Sequence, residues 1–432
     1  MIARALRTAA VVGLLGALAA APAGATPAPA PSPTPGPAVA TLVTDACPHK
    51  HVPPPAVDAS EVPKPGAPTP APLAVPEPPI GGAKLGGCGL VVPDGAPPAP
   101  PGIDSAGWLV ADATDGTVIA AKDPHGRYRP ASTIKLLLAQ VVLRDLELDT
   151  VVEGTAEDAA QEGDAAGVSP GGRYTVKDLL EGLLLISGND AAHALARQLG
   201  GVDAAVAKMN TLAAELGAHD TRAATPSGLD APGMSTSPYD LALILRAALR
   251  DKRFVQIAAT PQIVFPGHPP VPTTEPPAPL PPGASAAPAP TSVAPYPILN
   301  ENRLLTDFPG AVAGKNGYTD DAKKTFAGAV DRDGHRYVIV QMFGLTHTGN
   351  TYWDQYRRLL DYGIALRGKS VGTLVDAAGS GAPDHHPDAG PDAIVESGPS
   401  GMGNGTRLLI GLGGLAVIAV LVGAAMRTNR GR

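Results

Sequence analysis

A serine and a lysine three residues apart, Ser132 and Lys135, are the side chains in this sequence best suited to nucleophilic catalysis. They form its only Ser-x-x-Lys, and on a helix this spacing places both side chains on one face. A serine hydroxyl becomes a strong nucleophile when a base takes its proton, and a lysine serves as that base when burial lowers its pKa. Roughly one such pair is expected by chance in a chain of this length, so the pair needs supporting residues.

A second motif supplies polar side chains at a predicted junction between two helices. Ser187-Gly188-Asn189 is the only Ser-x-Asn in the chain and follows a stretch that is predicted to be helical. Glycine and asparagine commonly end helices, so the structural interpretation of the motif is a helix C-cap. The functional interpretation is that Ser187 relays a proton toward a leaving amine while Asn189 holds a substrate amide.

A third motif, Lys315-Asn316-Gly317, continues with Tyr318 and Thr319 and leads into an apolar β segment. A glycine on a strand lets a substrate backbone approach the strand edge closely. The lysine would supply positive charge for a substrate carboxylate and help to lower the pKa of the catalytic lysine. Because Asn-Gly is also a common turn pair, a surface turn is the structural interpretation.

The elements that carry these motifs are predicted from hydrophobic periodicity and turn residues. Apolar runs at 108–110 and 117–120, and again at 324–330 and 336–343, flank Asp/Gly-rich turns and predict two β-hairpins. Helices are predicted near 132–146, 175–187, 190–199, 203–216, 238–249 and 353–367. This order predicts a mixed α/β (α+β) fold, in which helices flank an antiparallel sheet. The strands of the sheet come from both ends of the domain, and a helical lobe is inserted between these two groups of strands.

The N-terminal part of the chain predicts export. Residues 1–25 have the pattern of a cleaved signal peptide, with two arginines, a short apolar run and a small-residue cleavage site. Residues 26–100 are rich in proline and alanine and predict an exported linker that is mostly extended or disordered. The catalytic domain is expected at 101–370, with a solvent-exposed insertion at 266–297, where 13 of 32 residues are proline.

The C-terminal part predicts a membrane anchor. A flexible tether at 371–407 precedes the uncharged 19-residue stretch 408–426. As a helix this stretch is about 28 Å long, against a hydrocarbon core about 30 Å thick. A buried core helix is the alternative interpretation. The arginines of the tail at 427–432 favour a single-pass protein with a cytoplasmic C-terminus and an extracytoplasmic catalytic domain in the cell membrane.

Charge and cysteine content limit the remaining functions. The net charge is −7 and 17% of the residues are charged, so the chain lacks the basic signature of a nucleic-acid-binding protein. Its two cysteines, Cys47 and Cys88, have no zinc-site spacing, and in an oxidising compartment they can form a pair. We therefore predict a structural disulfide.

The three motifs occur in the order Ser-x-x-Lys, Ser-x-Asn, Lys-x-Gly, which is the order in penicillin-binding proteins and class A β-lactamases. From about Trp108 to Gly344 the chain resembles low-molecular-mass penicillin-binding proteins of the D-alanyl-D-alanine carboxypeptidase type. The resemblance extends beyond the motifs to the segments Pro130–Lys135, Tyr174–Leu180, Ser187–Ala192, Met209–Asn210, Gly228–Asp230, Tyr239–Leu241 and Gly314–Thr319.

This resemblance implies a serine peptidase that removes the terminal D-alanine from peptidoglycan stem peptides. Ser132 would attack the carbonyl between the two D-alanines, with Lys135 as general base. Backbone N–H groups of Ser132 and Tyr318 would form the oxyanion hole. Water would then hydrolyse the acyl-enzyme without a metal or cofactor, and β-lactams would act as covalent inhibitors.

The resemblance also implies roles for the other two motifs. Ser187 and Asn189 would complete proton transfer and substrate positioning, while Lys315 and Thr319 would face the terminal carboxylate. The substrate-binding strand would run from Lys315 to Thr319. It departs from the family at Asn316, where the usual residue is threonine or serine, although an amide can also donate a hydrogen bond.

Three alternatives use the same residues. The first alternative is an inactive wall-binding scaffold, which the departure at Asn316 suggests. The other motif residues are intact and argue against it. A β-lactamase needs a deacylating carboxylate, and the stretch Ala218–Pro238 has no glutamate. A DD-transpeptidase would differ only in using an amine instead of water as the acceptor, and the motifs do not separate these two acceptors.

Overall fold

The computed structural model describes residues 42–270, 292–346 and 351–375 of the chain. The strands are β1 (Leu90–Val91), β2 (Gly107–Asp112), β3 (Thr117–Lys122), β4 (Val151–Glu153), β5 (Arg173–Thr175), β6 (Gln262–Phe265), β7 (Tyr296–Leu299), β8 (Ala311–Thr319), β9 (Lys323–Arg332), β10 (His335–Gly344) and β11 (Gly372–Thr373). The α-helices are α1 (Lys135–Asp145), α2 (Ala156–Ala159), α3 (Val176–Leu185), α4 (Asn189–Gln198), α5 (Val202–Glu215), α6 (Pro238–Ala248), α7 (Lys252–Ala258), α8 (Leu304–Asp307) and α9 (Thr351–Ala365). Short 3₁₀ turns lie at Ala83–Gly86 and Ala131–Ile134.

The central sheet is antiparallel and combines strands from both ends of the domain. Its order is β1-β3-β2-β10-β9-β8, and β11 also pairs with β3. The N-terminal and C-terminal hairpins meet at β2 and β10, where Val110 lies opposite Ile339. The helical lobe is inserted in sequence between these hairpins, so the predicted fold class is confirmed.

Side chains of β2 pack alternately into two hydrophobic cores, because neighbouring residues of a strand point to opposite faces of the sheet. Leu109 and Ala111 pack in the core that contains α1, α3, α4 and α6. Trp108 and Val110 pack on the other face with residues of α9, including Tyr356. Helix α1 is buried on nearly all sides, in keeping with its mostly apolar sequence. The helices of the lobe therefore surround α1, and the 3₁₀ turn that carries Ser132 packs against β8 and β9.

The N-terminal arm, residues 42–100, is packed against the domain and is not the loose linker that its composition predicted. Cys47 and Cys88 form a disulfide, which confirms the predicted pairing and closes a loop with a sequence separation of 41 residues. Leu85 is fully buried, which contributes roughly 1.5–3 kcal/mol. Guanidinium N–H groups of the buried Arg127 and Arg129 donate to backbone carbonyls of the arm at His51, Pro54, Leu73 and Ala74. A proline-rich segment has few N–H donors but many carbonyl acceptors, so arginines can fasten it without a sheet.

The boundaries of the insertion and of the tether also differ from those predicted. The last two residues of the predicted insertion, Tyr296 and Pro297, belong to β7. This strand pairs with β6 in a two-stranded sheet. Both strands of a two-stranded sheet are edges, where proline is tolerated. Residues 371–375 belong to the domain and not to the tether, since β11 pairs with β3 and the hydroxyl of Tyr239 donates to the Thr373 carbonyl at 2.8 Å.

The predicted signal peptide, most of the tether, the membrane span at 408–426 and the tail lie outside the described residues. Within the ranges that the structure describes, no helix has the length and apolar character needed to cross a membrane. The anchor stays a prediction.

Candidate active site

The first motif places a serine and a lysine in direct hydrogen-bond contact. Ser132 lies in the 3₁₀ turn, and Lys135 begins α1 immediately after it. The Lys135 Nζ lies 2.8 Å from the Ser132 Oγ, and it donates to the Asn189 Oδ1 at 2.7 Å and to the Ser227 carbonyl at 2.6 Å. A neutral amine has two N–H groups and one lone pair. In the neutral form of Lys135 the Asn189 oxygen and the Ser227 carbonyl would accept both N–H groups, which would leave the lone pair for the serine hydroxyl.

Two causes lower the pKa of Lys135 well below its usual value. The larger cause is burial, since the side chain is completely enclosed, and the second is the positive charge of Lys315. Burial disfavours the charged ammonium, and a nearby cation disfavours it further. Both causes were expected from the sequence, and they favour the neutral amine that a general base requires.

The second motif presents an unpaired hydroxyl to the same cleft. Ser187 follows α3 with a positive φ of 66°, a backbone conformation that costs a serine about 1–3 kcal/mol. Within the described part of the chain its buried Oγ has no hydrogen-bond partner. A buried hydroxyl without a partner is expensive to maintain, and such groups are concentrated at functional sites. Ser187 is therefore free to exchange a proton with a ligand.

Asn189 is held from both ends of its side-chain amide. Its oxygen accepts from Lys135, and its Nδ2 donates to the Glu162 carbonyl at 2.5 Å. The next residue, Asp190, accepts the backbone N–H groups of three consecutive residues, Ala166, Gly167 and Val168. These contacts join the start of α4 to a neighbouring loop that contributes to the cleft wall. Sequence reasoning did not identify this function of Asp190.

The third motif lies on β8, directly against the turn that carries Ser132. A Cβ added to Gly317 would lie 2.7 Å from the Ser132 nitrogen and 2.7 Å from the Thr325 Oγ1, so only glycine fits. The Thr325 hydroxyl donates to the Pro130 carbonyl at 2.8 Å and ties β9 to the same turn. These contacts hold β8 and β9 directly against the turn that carries Ser132.

Lys315 is the buried cation of the third motif. Its Nζ donates to the Asn316 carbonyl at 2.9 Å. Burial lowers the pKa of Lys315 to about 8, while the carboxylates of Glu301 and Asp164 oppose the shift. Tyr318 and Thr319 continue along the strand into the cleft lining, and the Thr319 hydroxyl accepts the Ala322 N–H at 2.9 Å, which shapes the following turn.

One cleft brings together residues of all three motifs. It is lined by Ser132, Gly163, Asp164, Ser187, Asn189, Gly228, Leu229, Glu301, Asn316, Gly317, Tyr318, Thr319 and Lys324. Sequence reasoning did not identify the charged residues Asp164, Glu301 and Lys324, because they come from two loops and a strand without a motif. Among the described residues, two groups of side chains are close enough together to hold a metal ion, but neither includes a residue of this lining.

Comparison with protein families agrees with this geometry. A family model described as D-alanyl-D-alanine carboxypeptidase matches residues 95–268, which include the first two motifs. The D-alanyl-D-alanine carboxypeptidase DacB2 of Mycobacterium tuberculosis is 45% identical over 288 residues, covering 66% of this chain and 90% of the relative. DacD of Salmonella typhimurium is 32% identical over 299 residues, covering 64% and 69%.

Solved structures show the same similarity. A crystal structure of a D-alanyl-D-alanine carboxypeptidase from Mycobacterium tuberculosis superposes with a TM-score of 0.57 at 44% identity, covering 66% of this chain and 99% of the other. A Streptomyces DD-transpeptidase superposes with a TM-score of 0.53 at 26% identity, covering 62% and 100%. The similarity to the first of these includes both sequence and fold.

Proposed function

The chain belongs to the family of D-alanyl-D-alanine carboxypeptidases, and we propose that it hydrolyses the bond between the two terminal D-alanines of peptidoglycan stem peptides. The observation that carries this proposal is the 2.8 Å contact between the Lys135 Nζ and the Ser132 Oγ, at a cleft that residues of the other two motifs also line. A buried amine with its lone pair toward a hydroxyl is the arrangement that activates a serine.

Acylation begins when the Ser132 Oγ attacks the carbonyl carbon of the penultimate D-alanine and its proton moves to the Lys135 Nζ. The developing oxyanion is stabilised by the backbone N–H groups of Ser132 and Tyr318. The C–N bond then breaks, and the amine of the terminal D-alanine receives the proton from Lys135 through the hydroxyl of Ser187. The products are free D-alanine and an ester between the shortened peptide and the serine.

The terminal carboxylate of the substrate is bound by Lys315 and the hydroxyl of Thr319, with the Asn316 amide beside them. A carboxypeptidase needs this charge recognition because it must distinguish a chain end from an internal peptide bond. Water afterwards hydrolyses the ester, with Lys135 again taking the proton. An amine in place of water would give transpeptidation, the activity named for the similar Streptomyces structure.

A β-lactam carries a strained amide and a nearby carboxylate, so it would acylate the same serine and remain attached where deacylation is slow. The direct test of the proposed reaction is release of D-alanine from a pentapeptide that ends in D-Ala-D-Ala, with a pentapeptide that ends in L-Ala-L-Ala as the control. Stereospecific release supports the proposal, and a folded protein that releases no D-alanine contradicts it.

The pH dependence of kcat/KM is expected to be bell-shaped, because one lysine must be neutral and the other charged. Activity rises as Lys135 loses its proton, and it falls above about pH 8 as Lys315, whose pKa burial lowers to about 8, loses its own. Arginine stays protonated, so Lys315→Arg should remove the alkaline decline. A steady-state profile from pH 5 to 10 measures this, and an unchanged decline in Lys315→Arg would assign it to another group.

We also propose that the protein is exported and anchored in the cell membrane by residues 408–426. The uncharged stretch of 19 residues with arginines after it supports this proposal. A chain truncated after Thr406 should leave the membrane fraction and remain active in solution. If the truncated chain still sediments with membranes, the anchor lies elsewhere.

A further inference from the structure

The side chain of Asn316 has two chemically different ends, and each faces a matching partner. The Lys315 Nζ lies 3.5 Å from the Asn316 Oδ1, and the Asn316 Nδ2 lies 3.4 Å from the Glu301 Oε2. The oxygen of the amide is an acceptor beside an ammonium, and its nitrogen is a donor beside a carboxylate. A flipped amide would place its oxygen beside the carboxylate and its nitrogen beside the ammonium, so the surroundings select one orientation.

Glu301 is placed in the cleft by a firmly held backbone. Its N–H donates to the Leu185 carbonyl at 2.9 Å, two residues before Ser187, so it is fixed to the second motif while it contacts the third. The asparagines on either side add to this anchoring. Asn300 donates to the Thr260 carbonyl at 2.9 Å, and the Asn302 Oδ1 accepts the N–H of Leu304 at 3.2 Å. These bonds fix the backbone position from which the Glu301 side chain reaches the Asn316 Nδ2.

We propose that Glu301 is a positioning residue that fixes the orientation of the Asn316 amide and so leaves the second N–H of that amide for the terminal carboxylate of the substrate. This inference rests on the proposed function. A serine or threonine hydroxyl, the usual group at this position in the family, can rotate to donate to a ligand by itself. An amide offers a donor only when its nitrogen faces the ligand, so the exchange of hydroxyl for amide creates a need for an orienting partner.

Glu301 also has an electrostatic effect, which the test must separate from orientation. The charged groups around it are Lys315, Lys324 and Asp164. Its carboxylate helps Lys315 to keep its proton, yet it also repels an incoming carboxylate. Replacement by glutamine retains an oxygen that can accept from the Asn316 Nδ2 but removes the charge, whereas replacement by alanine removes both. Comparison of the two variants therefore isolates the hydrogen bond.

The first experiment measures kcat and kcat/KM for D-alanine release by the full chain and its variants. Glu301→Ala should lower kcat/KM about tenfold, whereas Glu301→Gln should stay within about threefold of the wild type. Hydrolysis of the acyl-enzyme should be unchanged in both, because the terminal carboxylate has already left with D-alanine. A matched control is Glu215→Ala, a substitution of a half-exposed glutamate on α5 outside the cleft, whose kcat/KM should equal that of the wild type.

The second experiment is a double-mutant cycle with Asn316→Thr. In the threonine background Glu301→Ala should change kcat/KM less than twofold, since a hydroxyl needs no orienting carboxylate. An equal loss in both backgrounds would overturn the proposal, as would a loss confined to deacylation. If Glu301→Ala does not fold, Glu301→Met takes its place in both backgrounds, because methionine keeps the length of the side chain but offers the Asn316 amide no carboxylate or amide oxygen.

These outcomes are distinct from failure of the proposed function. If the folded wild-type chain releases no D-alanine, the carboxypeptidase proposal fails before Glu301 is tested. If the wild type is active and the cycle shows no coupling, only the role of Glu301 is removed.

Discussion

Ser132→Ala is expected to abolish both D-alanine release and covalent labelling by benzylpenicillin, with a loss of roughly 10⁶-fold in turnover. The physical reason is that in the proposed mechanism the Oγ of Ser132 forms the ester, and within the described residues it is the one hydroxyl hydrogen-bonded to the Lys135 Nζ. Alanine is compatible with the 3₁₀ turn, which already begins with an alanine and whose first and last residues, Ala131 and Ile134, are fully buried. The fold should therefore persist while the chemistry is lost.

The measurement is D-alanine release in parallel with the intact mass of the protein after exposure to benzylpenicillin. Ser370→Ala, which removes an exposed hydroxyl far along the chain, serves as the matched control and should behave as the wild type. Labelling that persists in Ser132→Ala would show that another residue is the nucleophile.

Replacement of Lys135 is expected to lower the rate of acylation about 10³-fold, the usual contribution of a positioned general base. Lys135→Arg should be as slow as Lys135→Ala, because a guanidinium keeps its proton at any working pH and cannot accept another. Both variants also leave the Asn189 oxygen and the Ser227 carbonyl with altered partners. The unfolding midpoint is therefore measured alongside the rate to show that the protein is folded.

Rapid-mixing measurement of acylation by a chromogenic β-lactam tests this expectation. Lys208→Ala, on the surface of α5, is the control for removal of a lysine that is not in the cleft. If Lys135→Arg acylates at the wild-type rate, the base is a different group, and the depressed pKa of Lys135 has no catalytic role.

The features that were predictable from the sequence are those that local patterns encode. The start of α3 lies close to the predicted residue 175, where Thr175 and Asp178 form a capping box from side chains only three positions apart. The two hairpins and the helices between them appear close to their predicted bounds for the same reason. The motif order implied that the first two motifs would meet, and the structure brings together Ser132, Lys135 and Asn189. Each of these residues lies in a turn or at the start of a helix, a position that the neighbouring residues in the sequence define.

The features that were missed depend on contacts between distant residues. The arm looks disordered by composition, yet Arg127 and Arg129 hold it through backbone carbonyls, which every sequence possesses and no pattern reveals. Asp164 and Glu301 line the cleft because the fold brings their loops beside Lys315. The orientation of Asn316 is likewise set by Glu301, a residue 15 positions away whose relevance appears only in three dimensions.

The most direct test of the central claim is the intact mass of the purified protein before and after exposure to benzylpenicillin, combined with an assay for D-alanine release. The proposed mechanism predicts one added penicilloyl mass, located on the peptide that contains Ser132, and D-alanine released from a D-Ala-D-Ala pentapeptide by the unlabelled protein. No adduct and no D-alanine from the folded protein would contradict it, and the inactive scaffold would then be the correct interpretation.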